Sequence, residues 1–389
     1  VSAHAPSDDF DRLRQTRERV AQGMTDGLHT GAQVYVSLRG EVIADAAMGE
    51  SQDGVPMRPD TVQRWLSAGK PVAAVAIARL EERGVVEYDR AVAHYIPAFA
   101  QGGKGMVTLR HLLTHTGGIR TAEGASALPT WDERIAAICA APLEAGWTPG
   151  EKAAYHPNSG WLILGEVVRQ ASGLPYEDYV RKHIFGPLGM KDSWATATPE
   201  LVRRYGDRWS ELYQTEGGQR VLHPRHLTAV SGYVCRPGST LRGPAHDLGR
   251  FYEMLLGHGA PFVLSLSKGE RVIEHSVRAI SAGSASAITT PQRIGMFDET
   301  FRHVMDWGLG VIIDSKKYGP GVPYGFGPYA SARTFGHGGS QSSLGFADPD
   351  HGLAAAIVFN GLPGEARHDR RMKRVTSALY EDLGLAQAM

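Results

Sequence analysis

Three groups of residues in this chain have the types and spacing for acyl-transfer chemistry. The first is Ser67 and Lys70, at the head of RWLSAGKPVAAVAIARLEERG (residues 64–84). On a helix this spacing puts both side chains on one face, within reach of each other. A hydroxyl and an amine held that way can act as nucleophile and base. They can equally be a helix N-cap and a solvated lysine, and Ser-x-x-Lys is a common pattern: Ser265-Leu266-Ser267-Lys268 is a second copy. Their surroundings separate the two. The apolar run VAAVAIARL follows Lys70 and places the first pair at the start of a buried helix, where desolvation lowers a lysine pKa toward the range of a base. The second copy lies between PFV and GER and reads as a surface turn.

The second group is Tyr155-His156-Pro157-Asn158, in a loop that leads into the apolar helix SGWLILGEVVRQASG. From there a phenol can relay a proton across a cleft; a buried Tyr bonded to a carbonyl is the alternative. The third is Gly336-His337-Gly338-Gly339-Ser340, on a strand edge. Glycines inside a strand mark close approach of a backbone or a ligand. A substrate carbonyl lying against Gly338 and Gly339 would receive the Ser340 N–H and, with the Ser67 N–H, find a two-donor oxyanion hole. The other reading is a tight bulge with His337 exposed. His111 and His115 have metal-ligand spacing, but the Glu that a zincin places after its first His is missing, so no metal is expected. A G-x-S-x-G nucleophile elbow is also absent.

Both chain ends are rich in strand patterns and the middle is rich in helices. DDFDRLRQTRERVAQG reads as an amphipathic surface helix, and AQVYVSLRGEVIADAAMG as a hairpin turning at Arg39-Gly40. From Ser67 to about residue 300, helical segments are broken by Gly/Pro loops, with Pro71 in a first turn and Gly84 as a stop. SAGSASAITT (281–290) reads as a loop. DWGLGVIIDSK, RTFGHGGSQSSLGFADPD and GLAAAIVFNG read as three strands, and RHDRRMKRVTSALYEDLG as a closing amphipathic helix. This predicts one sheet built from residues 1–66 and 300–389, with a mainly helical domain, 67–299, inserted and the site in the cleft between them. The Gly/Pro-rich stretch 316–332 is either a substrate-lining loop or a plain connector.

The bulk composition narrows the partners. Lys+Arg 41 balances Asp+Glu 41 across 389 residues, so no field draws nucleic acid or an anionic membrane surface, and the partner expected is a small-molecule or peptide substrate. No apolar run is long enough to span a bilayer, and the amino terminus has no signal-like apolar core. The chain reads as soluble, in the cytoplasm or, if a signal peptide was removed, in the periplasm or outside the cell. Cys139 and Cys235 have neither disulfide-framework nor metal spacing and read as buried thiols. Oligomeric state leaves no mark in the sequence.

Taken in order, these sites resemble the serine β-lactamase and penicillin-binding-protein-like superfamily, in particular its branch of class C β-lactamases, D-peptidases and family VIII carboxylesterases. The resemblance runs from Thr30 to Asn360. Its blocks are SAGKPVAAVAIARLEERG, TLRHLLTHTGGI, WLILGEVVRQASGLPYEDYV, STLRGPAHDLGRF and FGHGGSQSSLGFADPDHGLAAAIVFNG. It implies an α/β (α+β) fold with an antiparallel sheet, terminal helices and an inserted helical domain. It also implies Ser67 as nucleophile, Lys70 and Tyr155 as joint base, His337-Gly338-Gly339 at the Lys-Thr-Gly element, and no cofactor.

Two departures stand out. Asn158 falls one place late for Tyr-x-Asn, the motif whose Asn would bind a substrate amide. His337 replaces a lysine and removes the permanent cation that would hold a β-lactam carboxylate, although a histidine can still donate a hydrogen bond or move a proton near neutral pH. The activity implied is hydrolysis of a small-molecule carboxylic ester through an acyl-enzyme, with Tyr155 or His337 protonating the leaving group. Peptidase or amidase activity on D-amino-acid or small linear peptides comes next, then acyl transfer, with β-lactam opening a weak side activity. A receptor for peptides or cell-wall fragments is the non-catalytic alternative.

Overall fold

The computed structural model describes residues 9–223, 235–260, 262–264, 271–273 and 278–386. The second Ser-x-x-Lys copy, 265–268, lies outside the described residues. Nine strands form one sheet: β1 (Gly31–Leu38), β2 (Glu41–Gln52), β3 (Val55–Pro56), β4 (Arg293–Asp298), β5 (His303–Trp307), β6 (Ile312–Ile313), β7 (Phe335–Gly339), β8 (Ser343–Asp348) and β9 (Leu353–Phe359). Their spatial order is β4-β5-β6-β7-β8-β9-β1-β2-β3. All neighbours are antiparallel. The two chain ends therefore meet at the pairing of β1 with β9, where Val34 faces Ile357 and Tyr35 faces Ala356.

The hairpin β1–β2 turns at Arg39 and Gly40, both with positive φ, the twist a two-residue hairpin turn requires. Both faces of the central strands are buried, and successive residues serve different cores. Val34, Val36, Ala355 and Ile357 pack with Val375 and Leu379 under the terminal helices. Tyr35, Ala354 and Ala356 belong to the core shared with the helical lobe. The terminal helices are α1 (Arg14–Thr25) and, at the other end of the chain, Glu365–Asp382. No side chain of its own caps α1. Instead, Asp382 accepts the Gln15 and Thr16 N–H groups at 3.1 and 2.8 Å.

The helical lobe is built on α2 (Pro71–Glu81), whose every residue from Pro71 to Ala78 is buried, and on α3 (Ser159–Ser172), which packs against it. A short 3-10 turn, Leu66–Gly69, precedes α2. Helix α4 (Ala245–Leu256) lies on the sheet against β1, β8 and β9, and α5 denotes Glu365–Asp382. The sheet thus takes one strand, β4, and one covering helix, α4, from within the stretch 67–299 read as the helical domain.

Two local expectations need correction. Residues 282–289 are a helix rather than a loop, because Ser281 Oγ accepts the Ser284 N–H and Ala285 and Ile288 are buried in the core. RTFGHGGSQSSLGFADPD is a hairpin of two strands, β7 and β8, because Gln341 takes φ +51 and turns the chain. Both cysteines are free and buried. No helix among the described residues is long and apolar enough to cross a membrane.

Candidate active site

Ser67 lies in the 3-10 turn that feeds α2, and Lys70 follows one turn later, fully buried. Lys70 Nζ is 2.7 Å from Ser67 Oγ and donates also to the Gly238 carbonyl at 2.7 Å. No carboxylate pairs with it among the described residues. Burial brings its pKa down from 10.5 to about 7, with Glu123 pulling the other way. A lysine in that state is neutral for part of the time at pH 7 and can accept a proton. The Tyr155 hydroxyl donates to the same Ser67 Oγ at 3.0 Å. Burial pushes the phenol pKa up, an effect that the Ser67 hydrogen bond opposes and that Glu123, Asp298 and Glu365 reinforce. Tyr155 therefore keeps its proton and can only relay it. The Lys70 ammonium also sits 5.3 Å from the Tyr155 ring centroid and 5.6 Å from that of Trp161.

The loop carrying Tyr155 is fixed from both sides by a residue that spacing had suggested only as half of a metal pair. His115 accepts the Ala154 N–H on its carbonyl at 2.9 Å and the His156 N–H on Nδ1 at 3.3 Å. Its φ of +58 is unusual for a non-glycine residue. The Tyr155 N–H itself goes to Asp298 Oδ1 at 3.0 Å, and its carbonyl accepts Thr300 Oγ1 at 2.8 Å. Asp298 forms a buried ion pair with Arg293 at 3.2 Å, and Arg293 reaches across to the Thr114 carbonyl at 3.0 Å. His111 is occupied elsewhere, in a capping box with Thr108, so the two histidines do not converge. No group of three or more potential metal ligands occurs among the described residues.

Strand β7 closes the other side, and its glycines answer to protein neighbours. A Cβ on Gly339 would stand 2.3 Å from the Trp65 carbonyl oxygen, and one on Gly338 would stand 2.3 Å from Tyr324 Cδ1. Gly339 is thereby pressed against the turn that presents Ser67, and the exposed Ser340 follows it. Neither the Ser67 nor the Ser340 backbone N–H has a hydrogen-bond partner among the described residues.

His337 differs from the expectation of a proton donor. It is buried, its Nδ1–H is committed to the Gly338 carbonyl at 2.7 Å, and Nε2 has no partner among the described residues. Burial, with the Lys70 charge second, takes its pKa down to about 3. At neutral pH the ring is an acceptor and has no spare proton for a leaving group. Asn158 is half-buried and tied at both ends of its amide: Nδ2 donates to Glu123 at 3.3 Å and Oδ1 accepts from Ser239 Oγ at 3.2 Å. Its place one position late puts it at the N-cap of α3, where Glu123 also accepts the Asn158 and Ser159 N–H groups.

Sequence reasoning did not single out Glu123, Gly238, Asp298, Phe301, Tyr324 or Glu365. The Phe301 ring lies 4.6 Å from that of Tyr155 and 5.6 Å from that of Tyr324, which brings one residue of the Gly/Pro-rich stretch 316–332 beside the Tyr155 loop. Only that stretch had carried a signal.

The sequence model of the Beta-lactamase family matches residues 16–379. The esterase EstB of Burkholderia gladioli is 32% identical over 268 residues, 60% of this chain and 66% of that protein. Penicillin-binding protein 4* of Bacillus subtilis is 27% identical over 232 residues, 56% of this chain and 50% of its own. The chain thus spans from half to just under two thirds of these two relatives. A crystal structure of a penicillin-binding protein homologue from Caulobacter crescentus superposes with a TM-score of 0.71 at 28% identity, covering 96% of this chain and 98% of the other.

Proposed function

Because the chain belongs to the Beta-lactamase family, we propose that it is a serine hydrolase that cleaves carboxylic esters of small molecules through an acyl-enzyme on Ser67. The observation that carries this reading is the meeting of two proton-handling groups at one nucleophilic oxygen, with Lys70 Nζ at 2.7 Å and Tyr155 Oη at 3.0 Å from Ser67 Oγ.

In the reaction, neutral Lys70 takes the Ser67 proton while keeping its bond to the Gly238 carbonyl, and Ser67 Oγ bonds to the ester carbon. The Ser67 and Ser340 amides receive the negative oxygen. Tyr155 hands a proton to the departing alkoxide and is reprotonated from Lys70 as the C–O bond breaks. Water then repeats the steps in reverse roles and releases the acid. Gly338 and Gly339 hold the strand flat beside the acyl group, neutral His337 lines it as an acceptor, and Asn158 positions Glu123 and Ser239. Esters rank above peptides because the relative with 32% identity is an esterase. A neutral His337 also offers no cation for the carboxylate of a β-lactam or a peptide end.

Stopped-flow mixing with a p-nitrophenyl ester tests this. The expected result is a burst of p-nitrophenolate approaching one equivalent per chain, absent from Ser67→Ala. Equal turnover by the two proteins overturns the nucleophile, and D- or L-peptide cleavage far faster than ester cleavage overturns the substrate ranking.

A further inference from the structure

The first residue of α5, Glu365, has turned its carboxylate to the active-site strand. Its Oε1 accepts the Ser340 hydroxyl at 3.1 Å and its Oε2 accepts the Tyr324 hydroxyl at 2.9 Å. An acidic residue in the first turn of a helix is favoured by the helix dipole wherever it points. This one points back at the residue whose N–H is the second oxyanion donor, and no ion pair of Glu365 occurs among the described residues. Its charge reaches the Tyr155 hydroxyl as well, reinforcing the rise that burial causes there.

Beside it opens a cavity of about 220 Å³ lined by Gly338, Tyr324, Glu365, His368 and Asp369, among others. Asp369 is neutralised by Lys373 at 3.1 Å, and burial and Arg371 hold His368 uncharged. Among the described residues that line the cavity, Glu365 is the carboxylate without an ion pair; the Tyr324 ring lies next to it, and the Arg371 guanidinium stands behind His368. A carboxylate without a cationic partner, with an aromatic ring lining the same cavity, can receive an ammonium group. It repels an anion.

Resting on the serine hydrolase reading above, we infer that this site selects esters that carry a cationic ammonium group, which Glu365 and Tyr324 receive beside the His337–Ser340 strand. The same arrangement disfavours anionic esters, β-lactams among them.

Three thioesters of different charge test this, each followed by release of thiol: acetylthiocholine, its neutral isostere 3,3-dimethylbutyl thioacetate, and the anionic S-acetyl-3-mercaptopropionate, which is smaller at its charged end. The expected order of kcat/KM is cation, neutral, anion, with about tenfold between cation and neutral at low salt and less at high salt. In Glu365→Gln the cation-to-neutral ratio falls toward one, and in Glu365→Lys the order inverts. Comparable kcat/KM for all three in the unmodified protein, or a ratio unchanged in Glu365→Gln, overturns the inference while leaving the hydrolase intact. If no thioester is turned over through Ser67, the hydrolase reading fails and binding decides the inference separately. Choline must then saturate the protein at lower concentration than 3,3-dimethylbutanol, and Glu365→Gln must erase the difference; equal saturation overturns it.

Discussion

Lys70 is the residue on which the chemistry and the cost of this site coincide. Its ammonium is buried with one hydroxyl and one carbonyl as partners, so the folded chain holds its proton weakly, at about 7 against the ordinary 10.5. Acylation should therefore rise as pH rises through about 7 and level off above it, with no further step from His337, whose titration falls near 3. The same shift bears on stability. Between 10.5 and about 7 the unfolded chain carries a proton that the folded chain has released, so stability is lost as pH falls across that window and is level below it. Lys70→Met removes both effects. Its acylation rate should fall about 10²–10⁴-fold. Its melting temperature should equal or exceed that of the unmodified protein, with the gap widening as pH falls from 10 toward 7. A melting-temperature gap that does not change between pH 10 and 7, or a rate profile flat between pH 6 and 8, would refute a base at this position. Spacing and the apolar run after Lys70 made this residue readable in the sequence, because a side chain three places along a buried helix has nowhere to go except over Ser67. His115 was not readable. Its role comes from one carbonyl and one ring nitrogen meeting a loop some forty residues away, and periodicity carries no trace of such a contact.

At the scale of elements, the site is the gap between the turn Leu66–Gly69 and strand β7, and Gly339 sets its width. A Cβ there would meet the Trp65 carbonyl oxygen at 2.3 Å and the Ser343 hydroxyl at 2.2 Å. Both are held in place, since Ser343 Oγ donates to that same carbonyl. Gly339→Ala should push β7 away from the turn and carry with it the Ser340 amide, the proposed second oxyanion donor. The expected cost is about 1–3 kcal/mol of stability and about 10²-fold in kcat, the loss that misplacing reacting groups by an ångström produces. Gly105→Ala, where an added Cβ has nothing within 4 Å, should change neither quantity. Equal behaviour of the two variants in kcat would show that the gap has slack. The glycines of β7 were legible as marks of close approach, but the sequence does not say whether a ligand or another part of the chain approaches. Strand β4 escaped notice for a different reason. Its pattern is inverted: Ile294 and Phe297 are 63% and 43% exposed while Arg293 and Asp298 point inward. A reading that expects apolar residues inside passes over such a strand.

Those two inward charges act at the scale of the whole molecule. Arg293 and Asp298 stand on the outer edge strand of the sheet, yet their partners, the Thr114 carbonyl and the Tyr155 N–H, belong to the helical lobe. Hydrogen bonds from this ion pair, which has almost no exposure on either side chain, therefore tie β4 to the segments that carry Thr114 and Tyr155. Burial lowers the Arg293 pKa to about 10 in spite of the Asp298 charge, which raises it. That is the behaviour of a buried guanidinium whose one ion pair is with Asp298 and which Asp306 supports from farther off. Asp298→Asn keeps an oxygen for the N–H groups of Tyr155, Thr300 and Phe301 but leaves Arg293 charged, buried and unpaired. Breaking a buried pair in this way costs about 3–5 kcal/mol, and with the lobe tie loosened kcat should fall at temperatures far below melting. The double variant Arg293→Met/Asp298→Asn removes the stranded charge while retaining the oxygen, so it should recover most of the stability. It should recover only part of the activity, because the link to Thr114 is still gone. Chemical denaturation and ester turnover measured on all three proteins separate the two effects. If the double variant regains full kcat, the oxygen at 298, Thr300 and His115 hold the Tyr155 loop without the ion pair.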